Sequence, residues 1–145
     1  PEHGDSPVFY DRVNSTVALL KLIPGLDCRA AAWMLEHNDA LIIESFGVGG
    51  LPAYEAGDYY ETNKAGVDVG KTVVMTTQVE NEGSDLSVYH VGAAVKRDLP
   101  VLEAYDMTTE AVTAKLMWIL GQTKEPKQVA KLFYTPVAND ILAFQ

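Results

Sequence analysis

Apolar residues along this chain fall into short runs bounded by turn residues. "VALLKLI" starts at Val17, "ALIIESF" at Ala40 and "KTVVMTT" at Lys71, and each is too short for a helix of ordinary length. With "PVLEAY" they predict four strands, near Val17–Leu22, Ala40–Phe46, Thr72–Thr76 and Pro100–Tyr105. The second is almost continuously apolar, as a strand covered on both faces must be. Helical spacing fills the intervals. Ala30, Ala31, Met34 and Leu35 share one face of a helix that Asp27 can cap and that Asn38, in a left-handed conformation, can stop. A helix is expected over roughly residues 53–66, and a short one near Val91–Arg97. Val112, Leu116, Ile119 and Leu120 form a longer stripe, capped by Asp106 or Thr108 and ended by Gly121. A last helix starts near Thr123, takes Pro126 in its first turn and turns Val129, Leu132 and Phe133 inward. The alternation predicts an α/β fold: a small three-layer domain, a four-stranded parallel sheet with helices on both faces, Rossmann- or flavodoxin-like.

Residues 1–15 are polar and read as a linker or domain boundary, with Val8, Phe9 and Tyr10 expected to dock locally; residues 16–145 form the α/β domain. The chain lacks a starting Met and a signal peptide and reads as an excised or processed piece. At 48% hydrophobic residues it can build a true core, and no apolar run reaches membrane-spanning length. A formal charge of −9 opposes nucleic acid and anionic lipid as partners, both of which demand a cationic footprint. Cys28, the lone cysteine, cannot make an internal disulfide and fits a reducing compartment.

In a parallel sheet, ligand chemistry gathers at the carboxyl ends of strands. The segments there are "IPGLD", "GVGGLP", "TTQVENEG" and "YDMTTE". "AGVDVGKT", Ala65–Thr72, matches a loose phosphate-loop pattern, but it runs helix, turn, strand, whereas phosphate binding needs strand, loop, helix. "GVGGLP" is not a dinucleotide fingerprint, because Pro52 stands at the third glycine position. It reads as a tight strand-to-helix turn, or as backbone approaching a small ligand or a neighbouring subunit. Nucleophilic machinery is sparse. Cys28 lies beside a helix start with no His near it in sequence; His3, His37 and His90 form no metal set; Asp85, Ser87 and His90 are close only along the chain. The acidic run "ENEGSD" lacks a calcium-loop pattern.

Taken in order, "VALLKLIPGLD", "LIIESFGVGGLP", "VVMTTQ", "VYHVG" and "DMTTEAVTAKLMWILG" resemble the C-terminal domain of L-asparaginases, most like the bacterial cytoplasmic, type I-like branch. The resemblance covers roughly Val17–Gly121. It implies a cofactor-free, metal-free amidohydrolase converting L-asparagine to L-aspartate and ammonia. The nucleophilic threonine and a second Thr-Asp-Lys set belong to the N-terminal catalytic domain of the same chain, and their "TGGT" and "DGTDT"-type motifs are absent here. The implied role of this half is to complete the site in a cytoplasmic homo-oligomer. There the "GVGG" loop of one subunit reaches a small amino-acid substrate in its partner, through the backbone amides of Gly49 and Gly50. Relatives often carry Asn where Gly50 stands. Thr76 and Thr77 fall in neither catalytic motif, so no catalytic residue is expected in this chain. Some cytoplasmic relatives hold an allosteric asparagine with a basic residue where this chain has Glu44 and a Cys where it has Val79; Glu44 would repel a ligand carboxylate. Other readings are an amidotransferase subunit freeing ammonia for transfer RNA, which the acidic charge disfavours, and a non-catalytic module binding a small ligand at "GVGG" and "TTQ".

Overall fold

A computed structural model describes residues 9–46, 56–78 and 100–142. Its described elements run β1 (Val17–Lys21), α1 (Arg29–His37), β2 (Ala40–Ser45), α2 (Ala56–Asp68), β3 (Thr72–Thr77), β4 (Leu102–Glu103), α3 (Thr109–Gln122) and α4 (Pro126–Tyr134). The segment predicted to be helical near Val91–Arg97 lies outside the described residues.

The four strands form one sheet in the order β1-β2-β3-β4, every neighbouring pair parallel. Ala40 pairs with Val17 on one side and Thr72 on the other, and the register holds to the strand ends. Side chains alternate across the sheet with period two. Leu41, Ile43, Val73 and Met75 face α1 and α2, packing on Ala31, Leu35 and Tyr59. Ala40, Ile42 and Val74 face α3 and α4, packing on Val112, Leu116, Ile119, Val129 and Phe133. Leu41, Ile42 and Ile43 are wholly buried; each such aliphatic contributes about 1.5–3 kcal/mol. This two-sided burial is what the uninterrupted apolar run requires.

Several local expectations shift. At the start of α1 the Asp27 carboxylate accepts from the Arg29 N–H at 2.8 Å, but the residue at the helix boundary is Cys28, already helical at φ −60. Asn38 is extended (φ −129), not left-handed, because its side-chain amide donates to the Met34 carbonyl at 2.9 Å and satisfies the helix end itself. β4 is only two residues long; the Ala104 N–H still donates to Met75 at 2.9 Å, then Tyr105 turns to φ 51. Thr108, not Asp106, caps α3, accepting from the Ala111 N–H, and the Asp106 carboxylate instead accepts from the Leu142 N–H. The last helix begins at Pro126, capped by Glu125.

Gly121 does not end α3, which continues to Gln122. It is there for close approach: any side chain at this position would strike the Arg12 carbonyl. Residues 10–14 lie along α3. Gln122 donates to the Arg12 carbonyl at 2.7 Å, the Asn14 N–H donates to the Met117 carbonyl at 2.9 Å, and the Tyr10 and Trp118 rings meet edge-on at 5.1 Å. Phe9, expected to dock, is 85% exposed.

Candidate functional site

The carboxyl ends of β1, β2 and β3 are tied by one polar network. The Leu22 N–H donates to the Glu44 carbonyl at 3.0 Å, and the Gln78 N–H to the Ser45 carbonyl at 3.1 Å. The Gln78 carboxamide reaches over β2 and donates to the carbonyls of both Leu22 (2.7 Å) and Glu44 (3.1 Å). Two carbonyl acceptors fix the orientation of that amide, since only its NH₂ can serve them. Below it, the buried Ser45 hydroxyl donates to the Thr76 carbonyl at 2.8 Å. Glu44 is half-buried and pairs with Lys21 at 3.3 Å, so its charge meets a counter-ion within the protein. Buried donors and acceptors are thereby matched, as an interior edge requires. The network holds strand ends in place and presents no paired nucleophile and base.

The glycine-rich segment that leaves β2, with Gly49 and Gly50, lies outside the described residues. So do His3, Val79, Asp85, Ser87, His90 and the acidic run. Thr76 is buried and Thr77 half-buried, facing Glu44 and Ser45 in register. Cys28 is half-buried against the α1–α2 core layer. His37 is spent locally: its Nδ1 lies 2.8 Å from the Trp33 carbonyl and its ring stacks on Trp33 at 4.2 Å. Among the described residues no three His, Cys, Asp or Glu side chains converge to hold a metal ion. No described helix is long and apolar enough to cross a membrane.

"VDVGKT" is a helix terminus. Gly70 adopts φ +84, its N–H donates to Val67 and the Lys71 N–H donates to Gly66, closing α2 in a Schellman motif. The Lys71 amine donates to the Asn38 carbonyl at 2.8 Å, at the opposite edge of the sheet from the strand-end network. In the sequence Gln78 and Ser45 stand inside the strand-end segments "TTQVENEG", "VVMTTQ" and "LIIESFGVGGLP", with no role given to either residue by itself.

Two charged clusters lie elsewhere. At the amino edge of the sheet, Asp39 Oδ2 accepts from Lys124 (2.8 Å), Asn14 (2.7 Å) and Thr16 (2.7 Å). Those hydrogen bonds, Lys124's first, hold its carboxyl far below the ordinary range against the upward push of partial burial. On α3, the buried Lys115 pairs with Asp140 at 2.8 Å and donates to the Thr135 carbonyl at 2.9 Å. Burial pushes Asp140 up, but the Lys115 hydrogen bond and the Val137 N–H outweigh it, and its pKa is lowered.

A family model described as the glutaminase/asparaginase C-terminal domain matches residues 16–133. The L-asparaginase of Thermococcus kodakarensis is 33% identical over 135 residues, covering 93% of this chain and 40% of the relative. A glutamyl-tRNA(Gln) amidotransferase subunit of Pyrococcus furiosus is 30% identical over 135 residues, covering 92% of this chain and 30% of the relative. The solved thermostable L-asparaginase from Thermococcus kodakarensis superimposes with a TM-score of 0.85 at 32% identity, over 98% of this chain and 43% of that one. The chain thus spans two fifths or less of the length of these curated relatives.

Proposed function

Because this chain belongs to the glutaminase/asparaginase C-terminal domain family, we propose that it is the C-terminal half of an L-asparaginase, which hydrolyses L-asparagine to L-aspartate and ammonia. The observation that carries this reading is the 33% identity to an L-asparaginase across 93% of the chain. The catalytic threonines belong to an N-terminal domain of the same polypeptide, so this half alone is inactive. Its own part is to complete the site: the segment Gly47–Leu51 reaches substrate in a neighbouring subunit of a homo-oligomer. There the Gly49 and Gly50 amides serve as donors. No cofactor is needed for amide hydrolysis by a threonine nucleophile. We extend the reading to a cytoplasmic enzyme of the bacterial type I-like branch, on the strength of "VVMTTQ" and "DMTTEAVTAKLMWILG".

The test is ammonia release from asparagine and from glutamine, by the full-length protein and by this chain. Turnover is expected from the former and background from the latter. Turnover by the purified chain, after exclusion of host enzyme, overturns the division of labour. A full-length protein inert toward asparagine overturns the activity. The 30% identity to an amidotransferase subunit favours a second reading: ammonia release raised by glutamyl-tRNA would select it.

A further inference from the structure

The exposed side of α1 reads Arg29, Ala32, Trp33, Glu36 and His37, at i, i+3, i+4, i+7 and i+8, opposite the buried Ala31 and Leu35. Arg29 stands in the first turn and Glu36 in the last, the reverse of what the helix dipole favours, so helix stability does not account for them. Arg29 meets Asp27 through Nε and one terminal nitrogen, which leaves donors on the other. Glu36 pairs with no cation among the described residues. Between the two charges Trp33 is 60% exposed, yet its ring is held: it stacks on His37 at 4.2 Å, and His37 Nδ1 lies 2.8 Å from the Trp33 carbonyl. A large ring already fixed in water can be seated on a partner at little cost in entropy. Beside it a groove of about 590 Å³ opens between α1 and α2. Ala32, Ala65 and Gly66 line it with little or no side chain, and Trp33 is not part of the lining, so there is room in it for a ring from elsewhere.

We propose that this face is an interface between two copies of the chain, related by a two-fold axis that crosses α1 between Ala32 and Trp33. Such an axis sets α1 antiparallel to its counterpart. Arg29 then opposes Glu36 of the partner subunit, and Glu36 opposes the partner's Arg29, so both charges are met. Ala32 opposes the partner's Trp33, whose ring enters the groove over Ala65 and Gly66. The order cation, small residue, ring, carboxylate is its own complement when reversed, which selects a second copy over a foreign partner. The interface uses no residue of the segment 47–51 and stands whether or not that segment meets substrate.

The test follows full-length protein by sedimentation velocity over a concentration series. About 0.15 M salt is used, because a net charge of −9 opposes the association of copies when unscreened. Trp33→Glu should halve the mass of the assembly and weaken the association at least about a hundredfold. Arg29→Glu and Glu36→Arg should each weaken it about tenfold or more, because each sets like charges together twice across the axis. The double variant Arg29→Glu/Glu36→Arg should return to within about threefold of wild type. Along their own helix the two residues stand roughly 10 Å apart, so this recovery reports a contact between copies. All these side chains are exposed, and circular dichroism checks that the fold is kept. A wild type that stays monomeric, or a mass that all three single variants leave unchanged, overturns the proposal. An unchanged mass with a lowered Tm in Trp33→Glu assigns the face to another part of the same polypeptide and overturns it equally. Dissociation by each reversal without recovery in the double variant overturns the two-fold pairing.

Discussion

Asn63 stands out in α2. It is wholly buried on the face that also bears Tyr59 and Val67, and among the described residues neither its side-chain oxygen nor its nitrogen has a hydrogen-bond partner. One turn earlier Tyr59 shows the usual solution, its hydroxyl donating to the Leu26 carbonyl at 3.0 Å. An unmet buried amide costs about 1–3 kcal/mol, and leucine has the same branched shape, with bulkier ends, and better helix propensity. Asn63→Leu should therefore raise the stability of the protein by about 1–2 kcal/mol, seen calorimetrically as a Tm higher by a few degrees. A fall in Tm would show that the amide has a partner in the working protein.

At the scale of elements, Asp39 is the joint at which the start of β2 meets the strand before it and the turn between α3 and α4. Its carboxylate takes hydrogen bonds from Asn14, Thr16 and Lys124, and its N–H donates to the Thr16 carbonyl at 2.8 Å. The folded pKa lies below the unfolded value, so the stabilisation is complete above the unfolded pKa of about 3.9 and is lost as the pH falls below it. Asp39→Asn should cost about 1–2 kcal/mol at neutral pH, reduced by salt because Lys124 is exposed. In urea titrations the gap to wild type should stay level down to about pH 5 and close below pH 4; a gap that persists in acid would assign the cost to packing instead. Such joints are the part of the fold that pattern reading does not supply. β1, β2, β3 and the stripe of α3 were legible because apolar runs and helical spacing are properties of contiguous residues. The end of α1 was misread because a side chain, Asn38, did the work expected of a left-handed backbone. Gly121 was misread as a stop because its reason for being there, the Arg12 backbone, lies far away along the chain. Gln78 is visible within "VVMTTQ", but its hydrogen bonds are not, since its partners stand 56 and 34 residues upstream.

The whole molecule divides along its sheet. The buried residues toward α1 and α2 all lie between Leu20 and Met75, whereas the helices of the other layer contribute residues 112–133. Each described strand also pairs with its neighbour in sequence, so pairing needs no distant partner to begin. A ribosome makes the two layers in succession. When Gln78 has been added, three strands and the helices of one face exist, while Ala40, Ile42 and Val74 still await their cover. A chain truncated after Gln78 should accordingly bind a dye specific for exposed apolar surface and self-associate, and the chain extended to Leu142 should do neither. A soluble, dye-silent truncation would mean that one covered face suffices. The order of the strands is thus also a timetable: during synthesis this domain passes through an interval in which half of its future interior is surface, and the helices that follow β4 bring it to a close.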